Sequence, residues 1–104
     1  MIIRQKDKDT IILIAKNTLT QASKLLAYGS RVNGEAHDMS DLDMVLVSKD
    51  GEKIDRREFI NFNERLQDSC IPMLMQLSDW NRIPESFHKN ILVNCEEIVR
   101  IGYE

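Results

Sequence analysis

Asp41-Leu42-Asp43 runs directly into Met44-Val45-Leu46-Val47, and the stretch is closed by Lys49, Asp50 and Gly51. A short apolar run bounded by turn residues reads as a buried strand. Side chains alternate along a strand, so Asp41 and Asp43 share a face with Val45 and Val47, roughly 7 Å apart along the backbone. Two carboxylates thus continue an apolar face. Like charges that close lose hydration and repel each other unless a positive group sits between them, and a divalent metal ion meets that need. Ten residues before Asp41 stand Gly29 and Ser30. They offer a tight turn with exposed backbone N–H groups and one hydroxyl, which is what the phosphates of a metal-bound triphosphate require.

The other elements can be placed around this strand. Ile11, Ile12, Ala15, Leu19, Ala22 and Leu26 recur at helical spacing behind Asp9 or Thr10 as N-cap, which predicts a first helix of roughly 14 residues. Leu25 to Tyr28 form a short strand that ends in the Gly-Ser turn. Residues 31–40 are polar and suit a loop or short helical turn. Asp55 and Glu58 form a capping box ahead of a helical stripe of Phe59, Phe62 and Leu66. Pro72 to Leu77 reads as a third strand. Pro84 opens a helix carrying Ile91, Leu92 and Cys95, and Ile98 to Tyr103 adds a last strand. The short link between the first two strands predicts an antiparallel pair, and the helical crossover to the third predicts a parallel one. The expected fold is α/β in the α+β sense, a small mixed sheet covered by helices.

Length and charge narrow the function. The 104 residues, without repeat or linker, read as one domain spanning 1–104. A net charge of −3 disfavours nonspecific binding of long nucleic acid. Cys70 and Cys95 lack metal-site spacing and read as reduced thiols. The five-residue apolar run from Ile11 to Ala15 is no signal sequence, and nothing approaches the ~20 apolar residues of a membrane span. A cytoplasmic protein is expected.

The stretch YGSRVNGEAHDMSDLDMVLV, with Gly-Ser, ten residues and then Asp-x-Asp, resembles the minimal nucleotidyltransferases of the DNA polymerase beta superfamily. The likeness continues through IPMLMQLSDWNRIPESFHKNI, where such proteins show a strand leading to Asp-Trp and a helix beginning near a Phe. It implies the nucleotidyltransferase fold, with Gly29 and Ser30 holding the β and γ phosphates and Arg31 as a further phosphate contact. Asp41 and Asp43 would be the catalytic carboxylates and would bind Mg²⁺. The implied reaction transfers a nucleoside monophosphate, AMP from ATP, to a hydroxyl with release of pyrophosphate. The resemblance also implies an antitoxin of a toxin–antitoxin system, paired with an all-helical HEPN toxin whose tyrosine it modifies. Oligomeric state is open, a homodimer included.

One position departs from the family pattern. A third carboxylate is expected four residues before the Trp, and this chain has Gln76 there. An amide can offer a weak carbonyl ligand but cannot accept a proton as a base, a loss worth about 10² to 10⁴ in rate. Asp79, three residues on, faces the opposite way in a continuing strand. Two Mg²⁺ ions would carry four positive charges against two carboxylates and the triphosphate, so one firmly held metal arriving with the nucleotide is expected rather than two. A catalytically degenerate module that binds nucleotide or a partner stands as the alternative. His37 and Asp38 read as solvated loop residues, His88 as surface, Trp80 as a packing anchor, and Met73 and Met75 as core.

Overall fold

The computed structural model of the chain describes residues 3–29 and 41–102. The loop expected at 31–40 therefore lies outside the described residues, with Ser30, Arg31, His37 and Asp38. The elements are α1 (Gln5–Thr18), β1 (Ser23–Tyr28), β2 (Leu42–Ser48), α2 (Arg56–Gln67), β3 (Met75–Asp79), α3 (Glu85–Val93) and β4 (Cys95–Ile101). The sheet order is β3-β2-β1-β4. β1 is antiparallel to β2 and to β4, while β2 and β3, joined through α2, are parallel. The expected mixed α+β sheet and both expected pairings are present.

β2 sits inside the sheet with apolar residues on both faces, and Leu42, Met44, Val45 and Leu46 are fully buried. Leu42, Met44 and Leu46 join Leu25 and Ala27 of β1 against Ile11 and Ala15 of α1 and Phe62 and Leu66 of α2. Val45 faces the other way, with Leu26 and with Ile91 of α3. The period-two alternation read from the sequence thus holds along the strand. The carboxylate-bearing face of β2 is the face that α3 covers. Among the described residues, no helix is long and apolar enough to cross a membrane.

Several boundaries moved, each for a local reason. α1 starts at Gln5 instead of beyond Asp9, because Arg4 pairs with the buried Asp7 at 2.9 Å and puts an acid in the first turn, where the helix dipole favours it. Thr10 is no N-cap; its hydroxyl donates to the Lys6 carbonyl at 2.8 Å, the back-bond of a residue inside a helix. Ala22 and Leu26, which continued the helical spacing, precede and enter β1. β3 starts at Met75 rather than Pro72, and Cys95 opens β4 instead of ending α3. The capping box forms by half. Asp55 accepts from the Arg57 and Glu58 N–H groups, but the Glu58 carboxylate turns to Thr20 and Gln21, and the Gln21 amide oxygen takes the Asp55 N–H instead.

β4 carries a register shift opposite Leu25 and Leu26, so Ile98 and Val99 both reach the core in succession. A bulge on an edge strand bearing Glu96, Glu97 and Arg100 is a common protection against pairing with further strands.

Candidate active site

Tyr28, the last residue of β1, lies directly opposite Asp43 of β2. The chain then turns at Gly29 with φ of +83°, a left-handed conformation that side chains rarely adopt. A Cβ built on Gly29 would lie 2.7 Å from Asp43 Oδ2, so the turn closes directly onto this carboxylate. Glycine is required there twice over, by backbone angle and by space. The turn and the Asp-x-Asp strand, paired by sequence reasoning across ten residues, are in contact.

β3 completes the cluster from the other side. Gln76 is the register partner of Asp43, and its amide nitrogen donates to Asp41 Oδ2 at 2.9 Å. Asp41, just before β2, and Asp43 are both half-buried. Burial raises the pKa of Asp43, and the neighbouring charge of Asp41 raises it further. The Tyr28 phenol is also pushed up, by burial first and then by the Asp43 charge, with a hydrogen bond to Ser78 opposing the rise. Negative charge has been gathered here against an electrostatic cost.

The carboxylate oxygens of Asp41 and Asp43 suit a hard divalent cation, being ligands of the Mg²⁺ class. The glycine turn leaves open space that a Cβ would fill beside one of those oxygens. Among the described residues there is no group of three or more His, Cys, Asp or Glu side chains arranged to hold a metal.

Asp79 is occupied elsewhere, as its spacing predicted. It is 2% exposed, pairs in register with Leu46, and accepts from the Ile54 N–H at 2.9 Å, the Asn81 N–H at 3.0 Å and Arg82 Nε at 3.1 Å. Trp80 packs with Leu26, Val45 and Ile91, as an anchor should. His88 differs from its expected surface role. Its ring stacks on Trp80 with centroids 3.7 Å apart and an interplanar angle of 8°, and its Nε2 lies 2.7 Å from the Trp80 carbonyl oxygen. The signal was available: His88 stands three residues before Ile91, on the same helical face. Tyr28 was likewise read only as a strand residue, although the antiparallel register places it beside Asp43.

A family model described as "Polymerase beta, Nucleotidyltransferase" matches residues 9–101. The chain belongs to the polymerase beta nucleotidyltransferase family. Among curated proteins, the chain is 35% identical over 65 residues to a probable protein adenylyltransferase, MntA, of Haemophilus influenzae. That match covers 62% of the chain and 55% of the relative, so the similarity spans about half the relative's length. Among solved structures, the chain resembles one in a toxin–antitoxin complex with AMP-PNP, with TM-score 0.72 and 14% identity over 91% of this chain and 74% of that one. It also resembles a chain in the complex of a tri-AMPylated HEPN toxin from Shewanella oneidensis with its MNT antitoxin, with TM-score 0.68 and 11% identity over 93% and 72% of the two chains. At these identities the structural likeness speaks for the fold.

Proposed function

We propose that this nucleotidyltransferase binds Mg²⁺–ATP and transfers AMP to a hydroxyl of a small helical HEPN-type partner, as the antitoxin of a cytoplasmic toxin–antitoxin pair. The observation that carries the reading is the close approach of Gly29 to Asp43, which supports a phosphate-binding role for the turn and a metal-binding role for the carboxylates beside it. Asp41 and Asp43 hold the cation, and the backbone N–H groups of the Gly29–Ser30 turn take the β and γ phosphates, with Arg31 as a further contact. A divalent ion held there would supply Lewis-acid stabilisation of the phosphate charge that develops on the leaving pyrophosphate. The likeness to the MntA relative and to toxin–antitoxin chains supports the choice of partner and nucleotide.

The acceptor oxygen attacks the α-phosphorus, its bond to the bridging oxygen of pyrophosphate breaks, and the acceptor proton leaves to water or to a group on the acceptor protein. Gln76 cannot take that proton. This one feature also favours a second reading, a module that binds nucleotide and neutralises its partner without transfer. Incubation with Mg²⁺, ATP and the copurified helical partner separates the two. Transfer adds one adenylyl group, AMP less the elements of water, per modified hydroxyl, absent with Asp43→Ala. A complex of unchanged mass that binds Mg²⁺–ATP supports the second reading, and failure to bind nucleotide at all refutes both.

A further inference from the structure

We infer that Gln76 limits the nucleotide-free protein to a single divalent cation and fixes which oxygen of Asp41 faces it. The inference rests on Asp41 and Asp43 being metal ligands and adds a stoichiometry and a positioning residue to that site. Gln76 holds the β3 position beside Asp43, about 4.8 Å away across a strand pair. An ionised carboxylate only accepts hydrogen bonds, so the side of the amide facing Asp41 must be its NH₂ group, and its carbonyl oxygen is turned away from that carboxylate. Asp41 Oδ2 thereby gives one lone pair to Gln76 at 2.9 Å, which makes Oδ1, with both lone pairs open, the stronger donor to a cation.

Charge gives the stoichiometry. One divalent ion neutralises Asp41 and Asp43; a second would leave two positive charges uncompensated in a half-buried site, which is costly. Asp79, the next acid along β3, is on the other face and committed to Ile54, Asn81 and Arg82. Turning the amide over to offer its carbonyl to a second ion would lose the bond to Asp41 and set oxygen against oxygen. A second ion therefore needs the oxygens of a triphosphate.

Mn²⁺ titration of the full chain without nucleotide, with free Mn²⁺ counted by electron paramagnetic resonance, tests this. Wild type should bind one ion and Gln76→Glu two, while Gln76→Leu should keep one ion with affinity lowered on the order of 10-fold, the usual cost of losing a residue that orients a ligand. Gln76 is exposed, so Gln76→Leu should melt as wild type does, while the added carboxylate of Gln76→Glu, set beside Asp41 and Asp43, should lower the melting point without metal and restore it with Mn²⁺. Two ions on the wild type, one ion of unchanged affinity on Gln76→Glu, or unchanged affinity in Gln76→Leu overturns the inference and leaves the metal site standing. Wild type that binds no Mn²⁺ even with ATP overturns the metal site itself.

Discussion

Replacing Gly29 by alanine, with Gly51→Ala as its control, separates the cost of backbone conformation from the cost of crowding the site. The two glycines have nearly the same φ, +83° and +79°. A left-handed alanine costs about 1–2 kcal/mol. A narrower unfolded ensemble returns about 0.4–1 kcal/mol, so each variant should lose on the order of 1 kcal/mol. For a domain of this size that is a fall of about 4–8 °C in Tm. The surroundings differ. A Cβ at position 51 meets nothing within 4 Å, whereas at position 29 it meets Asp43 Oδ2 at 2.7 Å. That oxygen must retreat by about 0.7 Å to reach ordinary van der Waals contact. The move is cheap for stability, because a carboxylate end can swing, but it is a third of a 2.0–2.1 Å Mg²⁺–oxygen bond. Mg²⁺-dependent ATP binding should fall on the order of 10- to 100-fold in Gly29→Ala and stay unchanged in Gly51→Ala, with similar melting points. Equal nucleotide affinity in the two variants would refute the argument.

Three further outcomes follow from the same geometry. Asp43 has a raised pKa in the folded protein, so its neutral form favours folding, and that contribution is lost as pH rises from the ordinary carboxylate value through the raised one. In EDTA, Asp43→Asn should therefore be more stable than wild type at pH 7, with the advantage shrinking toward pH 4 in urea melts; a less stable variant at pH 7 would contradict this. Asp79→Ala orphans the buried Ile54 N–H and should cost about 1–3 kcal/mol in urea denaturation, while the folded fraction keeps its Mg²⁺–ATP affinity. His88→Ala removes the ring stacked on Trp80 and should cost about 0.5–1.5 kcal/mol, with a change in Trp80 fluorescence and none in nucleotide binding.

The sequence was most legible where chemistry and periodicity coincided. The alternation through β2 predicted which face carries Asp41 and Asp43, the family resemblance pointed to Gln76 as the position beside them, and parity along β3 set Asp79 on the opposite face. It was least legible where a tertiary partner replaced a local one. Glu58 left its capping box for Thr20 and Gln21, a segment more than 35 residues away in sequence, and no local pattern announces such an exchange. The start of α1 was misplaced because apolar spacing begins only at Ile11, whereas the charged first turn is held by the buried Asp7 paired with Arg4. The Gly29–Asp43 contact lay between these cases. Spacing suggested proximity, but the missing Cβ and the hairpin register turned it into a distance.

The central claim is that Asp41 and Asp43, beside the Gly29 turn, hold a divalent ion for a nucleotide. Calorimetric titration of ATP into wild type and Asp43→Ala, each with Mg²⁺ and with EDTA, tests it most directly. Wild type should bind ATP only with Mg²⁺, and Asp43→Ala should show no Mg²⁺-dependent binding while keeping its fold. Wild-type affinity in Asp43→Ala, or binding indifferent to Mg²⁺, would contradict the account.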